Sequence, residues 1–197
     1  MGRGYMGRIL KVDLGRSSFE DEIIPDALYE RHLSGMGLAA HILFHRIPAG
    51  ADPLGPDNIL GFVSGLLTGT GSLFAGRWMV VAKSPLTGGW GDANCGGTLS
   101  PAMKRSGYDG IFFSGISEKP VLLYVKNGKP ELRDAAHLWG KDAIETEEIL
   151  KKEFGEHVSV AVIGPAGENL SLISGVCNDR GRLAARSGLG AVMGSKR

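Results

Sequence analysis

Arginine beside glycine occurs twice in this chain in a setting that suits an anion. Arg77 stands between the glycine-punctuated stretch 65–76 and an apolar run, and Asn94-Cys95-Gly96-Gly97 follows shortly before a helix start near Ser100. Arg182 and Arg186, among small residues, precede a second helix start near Gly190. A guanidinium offers a fork of donors matched to phosphate, and glycine lets backbone N–H groups come close. A helix N-terminus adds partial positive charge. Two such segments in matching positions suggest two phosphates or one pseudosymmetric ligand. The competing account makes the arginines structural ion-pair partners and the glycines turns. The residues alone leave both open.

Other patterns fail at the positions that carry chemistry. Gly71 to Gly76 has the glycine spacing of a phosphate-binding Walker loop, but Arg77 replaces its lysine and Trp78 its metal-binding hydroxyl. No G-x-G-x-x-G opens a helix after a strand, and no G-x-S-x-G elbow is present. His41 and His45 are four apart, yet Ile42 occupies the place of a zinc-protease glutamate, so they read as packed or surface histidines. Cys95 has no histidine nearby to activate it as a nucleophile. No residue is assigned a catalytic role.

Composition narrows the classes. Glycine is the outlier, with 31 residues where roughly 14 are expected at about 7% usage. No G-X-Y period exists, so the excess marks tight turns and close approaches rather than collagen. Net charge is +1 with both signs interspersed, which gives no electrostatic footprint for nucleic acid. The segment Met1 to Met6 lacks the apolar core of a leader, and no run approaches the ~20 apolar residues of a membrane span. Two cysteines, Cys95 and Cys177, are too few for a disulfide framework and have no metal spacing. The chain reads as cytoplasmic, with neither a nucleic-acid nor a membrane partner.

The elements that must position these residues can be placed from the pattern. The first 24 residues predict a hairpin, with Leu10, Val12 and Leu14 alternating on one strand. A short helix capped by Asp26 and closed by Gly35 follows, then a helix over 38–47 ending at Pro48. Strands are expected at 59–63 and 78–82, and residues 84–97 read as a long glycine loop. Ser100 and Pro101 read as N-cap and first helical residue, with Gly107 past the end. Strands at 110–114 and 121–125 come next, and Asn127-Gly128 predicts a type I′ turn onto 131–133. Residues 142–154 form the clearest helix, stopped by Gly155. Strands at 158–163 and 172–176 and an Arg/Gly loop over 178–190 complete the chain, the loop entering a helix that reaches Gly194. The fold class is α+β, with mixed and antiparallel β-sheets packed with helices. The order strand, loop, strand, Arg/Gly loop, helix recurs in both halves, as an internal duplication would give.

Seven short blocks run in an order that resembles a known family. They are Leu67-Thr68-Gly69-Thr70, Ala82-Lys83-Ser84-Pro85-Leu86-Thr87-Gly88, Ala93-Asn94-Cys95-Gly96-Gly97, Gly107-Tyr108-Asp109, Trp139-Gly140-Lys141, Ile163-Gly164-Pro165-Ala166-Gly167-Glu168-Asn169 and Gly190-Ala191-Val192-Met193-Gly194-Ser195-Lys196. Together they resemble the N-terminal signatures of the aldehyde ferredoxin oxidoreductases. The resemblance implies that residues 1–197 form the N-terminal pterin-cofactor-binding domain of a larger oxidoreductase, with the cluster and substrate domains outside it. It implies tungsten, or molybdenum, held by two pterins, with Mg²⁺ bridging their phosphates and a [4Fe-4S] cluster in the full-length enzyme only. Ferredoxin would take the electrons, and a small aldehyde would be oxidised to a carboxylic acid. Carried over by motif, Arg77, Asn94 and Gly96 would serve one pterin, and Arg182, Leu183 and Ala185 the other. The carbonyls of Asn94 and Leu183 would hold the magnesium, a hard cation that takes oxygen ligands.

The pattern departs from the family at Leu183 and Ala185, where smaller residues are usual. A carbonyl survives any side chain at 183, but an alanine at 185 would be strained if its φ were positive. Two cysteines also fall short of the four thiolates a [4Fe-4S] cluster takes. The alternative from another class is a stand-alone phosphate- or nucleotide-binding module without redox activity.

Overall fold

Residues 4–197 are described by the computed structural model; the first three residues of the segment read for a leader lie outside them. The alternating apolar residues of the N-terminal run form β1 (Arg8–Asp13), which turns back antiparallel into β2 (Ser18–Ile23), as the pattern predicts. Helices α1 (Asp26–His32) and α2 (Met36–Arg46) follow. Asp26 is the first helical residue of α1 rather than its cap, and Gly35 serves as the N-cap of α2. Then come β3 (Leu60–Ser64), β4 (Trp78–Lys83), β5 (Trp90–Cys95), α3 (Leu99–Arg105) and β6 (Gly110–Ser114).

These strands make one six-stranded sheet in the order β2-β1-β6-β3-β4-β5. Only the β1–β6 pair is parallel. The two faces are covered differently, and the period-2 alternation sorts side chains between them. Ile9, Val63, Val81 and Phe112 pack against Tyr29, Leu38, Ile42 and Leu43 of α1 and α2. Leu10, Val12, Phe62, Trp78 and Val80 face the opposite core with Met103, Leu189 and Val192. Every residue of β3 is buried, as a central strand covered on both faces must be. Gly61 is required there: a Cβ would sit 2.6 Å from the Phe112 ring.

The rest of the chain forms smaller units. β7 (Val121–Lys126) and β8 (Lys129–Asp134) make a hairpin whose turn residues Asn127 and Gly128 both have positive φ, as a type I′ turn requires. In α4 (Ala143–Phe154) the Asp142 side chain accepts from the backbone N–H groups of Ile144 and Glu145, which fixes the predicted start. α5 (Pro165–Glu168), β9 (Val176–Asn178), β10 (Arg182–Ala184) and α6 (Leu189–Lys196) finish the chain. A third core under α4 gathers Leu138, Leu150, Val160, Val162 and Cys177.

Several expectations are corrected. Residues 84–97 are not one loop, because β5 lies within them as the sheet's edge strand. Residues 158–163 are extended but share a single bridge, Val162 with Cys177, so no strand partner converts them into a ladder. The expected strand at 172–176 is instead the short β9, starting at Val176, and the expected loop 178–190 contains β10. Thr98, not Ser100, is the N-cap of α3. The recurring order in the two halves is not matched by recurring topology: residues 8–114 build one six-stranded sheet, the last third a two-stranded ribbon.

Candidate functional site

The two Arg/Gly segments meet. β5 alternates buried Ala93 and Cys95 with exposed Asn94, so the Asn94 side chain points away from the core at the sheet edge. Arg77 immediately precedes β4, whose Met79 lies opposite Asn94, and this register brings the guanidinium to the asparagine. Arg77 Nε donates to Asn94 Oδ1 at 2.9 Å, and Nη2 reaches both Oδ1 and, at 3.5 Å, the Asn94 carbonyl. The Gly96 carbonyl accepts from Trp78 Nε1 at 3.3 Å and from Asn178 Nδ2 at 3.4 Å. Arg182, opposite Asn178 in the β9–β10 ribbon, lies alongside: its Nη1 is 3.6 Å from where a Cβ on Gly96 would be.

Further bonds hold the segments together. Cys95 Sγ donates to Asn178 Oδ1 at 3.2 Å, and Ser84 Oγ donates to the Ser187 carbonyl at 2.8 Å. Asp179 accepts from Thr98, through the backbone N–H at 2.6 Å and the hydroxyl at 2.8 Å. Gly97, with φ +115°, is forced to be glycine, since a Cβ would sit 2.2 Å from Asp179 Oδ2. The sequence singled out neither Asp179 nor Asn178. The signal was present in an Asn-Asp pair placed where a tight turn must begin.

Arg77 and Arg182 are exposed, and neither has an ion-pair partner among the described residues. Structural ion pairs therefore do not account for them. Arg186 is different, because its Nη2 lies 3.1 Å from Asp92 Oδ2. Leu183 is half exposed beside Arg182, and Ala185 is exposed with φ outside the left-handed region, so alanine there carries no strain. The thiol of Cys95 is pushed up by burial, an effect the charges of Arg77 and Arg182 partly oppose. Burial likewise raises Cys177. Both cysteines are buried and held as thiols, unlike a reactive thiolate.

Helix N-termini contribute less than the sequence suggests. The N–H of Thr98 ahead of α3 is already taken by Asp179. At α6 the first turn is buried and the Gly190 N–H donates to the Ser174 carbonyl. Of the groups the sequence offers to an anion, this leaves the two exposed guanidiniums beside the half-buried Gly96. The His41 and His45 rings lie with centroids 4.4 Å apart, tilted by 46°, and no group of three or more His, Cys, Asp or Glu side chains able to hold a metal occurs among the described residues.

The sequence profile of the aldehyde ferredoxin oxidoreductase N-terminal domain matches residues 9–197. The chain belongs to that family. It is 46% identical to the tungsten-containing aldehyde ferredoxin oxidoreductase of Thermococcus kodakarensis and 45% identical to that of Pyrococcus furiosus, in each case over 98% of this chain and 32% of the relative. The WOR-like subunit of an aliphatic sulfonate oxidoreductase from Pyrococcus furiosus is 32% identical over 98% of this chain and 33% of its own length. Among solved structures, the active site complex BamBC of benzoyl coenzyme A reductase with 1,5-dienoyl-CoA superposes with a TM-score of 0.96 at 43% identity. That match covers all of this chain and 30% of the other. The chain thus spans about a third of the length of these relatives. Among the described residues no helix is long and apolar enough to cross a membrane.

Proposed function

We propose that this chain is the cofactor-holding domain of a larger pterin-dependent oxidoreductase that oxidises aldehydes to carboxylic acids and passes electrons to ferredoxin. The observation that carries the reading is the convergence of Arg77, Asn94 and Gly96 with Arg182 on one exposed patch, both guanidiniums lacking an ion-pair partner among the described residues. Unneutralised arginines, one at Asn94 and one at Gly96, suit a ligand with more than one phosphate. Arg77, Asn94 and Gly96 would hold one pterin; Arg182, Leu183 and Ala185 would hold the other. Carbonyl oxygens of Asn94 and Leu183 would be the donors for Mg²⁺. Bound here, the tungsten (or molybdenum) bis-pterin group supplies the two-electron redox chemistry; the chain supplies position and positive charge. A [4Fe-4S] cluster would take its ligands from other sequence, since Cys95 and Cys177 are buried thiols.

A second reading differs in substrate and in the direction of electron flow. The benzoyl-CoA reductase structure is 43% identical, level with the 42–46% of the aldehyde enzymes. The same platform would therefore serve a benzoyl coenzyme A reductase as readily as an aldehyde oxidoreductase. No observation favours the stand-alone phosphate module over either.

The test is made in the full-length protein. Arg77→Ala and Arg182→Ala should each lower tungsten and pterin content, by removing charge-assisted bonds of roughly 1.5–3 kcal/mol. The melting temperature of the cofactor-free form should hardly move. Full cofactor content with a large loss of cofactor-free stability would show that the arginines serve the fold.

A further inference from the structure

Asp179 stands at the β9–β10 turn with φ +44°, 81 residues from Thr98. Both of its oxygens are used on that one residue, Oδ2 on the backbone N–H and Oδ1 on the hydroxyl. Thr98 makes no side-chain cap to α3 itself. In a capping box, a carboxylate three residues into the helix reaches back to the N–H of the cap residue. Here that carboxylate comes from the other Arg/Gly segment. A third tie, Ser159 Oγ to the Thr98 hydroxyl at 3.0 Å, fixes the rotamer that Asp179 needs.

The placement matters because of what lies on either side. Thr98 follows Gly96 and Gly97 directly, and Asp179 follows Asn178, the residue opposite Arg182. Asn178 is fully buried and joins Cys95 Sγ to the Gly96 carbonyl. The space a Cβ on Gly97 would enter is filled by Asp179 Oδ2, Asn178 Nδ2 and Arg182 Cδ. A carboxylate this close to an anion site repels the anion, because the two Thr98 donors are neutral and leave its charge in place. Its presence is explained if the tie it makes outweighs that repulsion.

We propose that Asp179 is a positioning residue of the cofactor site, fixing the Arg77–Asn94 pair relative to Arg182 so that both arginines act on one two-phosphate ligand. The inference rests on the reading of this patch as a phosphate-holding cradle. It predicts an effect opposite in sign to simple electrostatics. Removing a negative charge beside an anion site should tighten anion binding, whereas removing the tie should weaken it.

The experiment titrates the 197-residue chain with inorganic pyrophosphate at low ionic strength, following the arginine Nε–H signals and the Gly96, Gly97 and Thr98 amides by NMR. Asp179→Asn suits the test because asparagine tolerates the left-handed conformation at least as well as aspartate, while its amide nitrogen cannot accept. The variant is expected to bind pyrophosphate about tenfold more weakly, through lost preorganisation. Hydrogen exchange at the Thr98 amide should quicken while Val80 and Val81 in the core stay protected. Thr98→Ser, which keeps both donors, should behave as wild type, and Thr98→Val should fall between; it decides the matter if Asp179→Asn does not fold. Unchanged or tighter binding by Asp179→Asn overturns the inference and leaves the cradle standing. A wild-type chain with no arginine response overturns the cradle itself, and the role of Asp179 with it.

Discussion

Lys196 carries its charge where there is almost no water. It ends α6 with 2% of its surface exposed, donating to the Asn58 carbonyl at 2.6 Å and the Gly115 carbonyl at 3.1 Å. Desolvation pulls its pKa down to about 8, opposed weakly by Asp57. The folded-state value lies below the unfolded one, so the contribution to stability is present at high pH and lost as pH falls through about 8. Between about 8 and 10.5 the unfolded chain holds a proton that the folded chain has released. Wild-type stability should therefore rise relative to Lys196→Met over that window, by about 2 kcal/mol. Cys95, Cys177 and Tyr108, all raised by burial, act in the reverse direction but equally in both proteins. Urea unfolding of the pair near pH 7 and pH 10 measures the difference, and a gap independent of pH would show that the lysine is not desolvated. Nothing in the residue pattern marks this lysine as buried, because its burial comes from elements around 58 and 115 that lie far off along the chain.

At the scale of elements, a second buried charge does what short helices cannot do alone. Lys104 of α3 and Asp109, just before β6, form an ion pair at 2.9 Å with 5% and 0% side-chain exposure. Asp109 also accepts from the N–H groups of Met6 and Gly7 and from the Tyr29 hydroxyl, while Lys104 donates to the Gly4 carbonyl. One carboxylate thereby fastens α1, α3, β6 and the segment entering β1. Removing one partner leaves the other buried and uncompensated, which costs about 3–5 kcal/mol. Asp109→Ala should lower stability by that amount. Adding Lys104→Met should recover part of it, since the orphaned cation is then gone too. A strictly additive double variant, by thermal or urea unfolding, would show the pair to be uncoupled. The elements were legible where local chemistry decides them. Asp142 and Gly155 bracket α4, and Asn127-Gly128 makes the one turn that two positive φ angles allow. They were not legible where pairing decides. β5 hid among glycines because edge-strand residues such as Gly91 and Asn94 have low strand propensity. Residues 158–163 look like a strand yet find one bridge, since a ladder is a property of two segments. The site followed the same rule: Arg77, Asn94, Gly96 and Arg182 stood out by type, whereas Asp179 and Asn178 acquire meaning only when β10 lies beside β5.

For the whole molecule, what the patch contains decides what the chain can do by itself. Arg77, Asn94, Gly96, Arg182, Leu183 and Ala185 include no group that titrates near neutral pH, so none can serve as a general acid or base. The carboxylates closest to them are committed, Asp179 to Thr98 and Asp92 to Arg186. Electron transfer meets the same limit, because a cubane cluster takes four thiolates and the chain has two cysteines, both buried and held protonated. On the proposed reading, binding and catalysis are thus separable here: the platform would hold phosphates without moving protons or relaying electrons. The expected outcome is that the purified 197-residue chain binds pyrophosphate through its arginines yet reduces no viologen dye when given an aldehyde and the metal–pterin group. Iron–sulfur reconstitution should leave no visible absorption that bleaches with dithionite. Dye reduction above the rate of the free metal–pterin group would mean that this chain holds an acid/base residue outside the patch. A bleachable chromophore would mean that Cys95 and Cys177 leave the core to bind iron, and the assignment of both as structural thiols would fall.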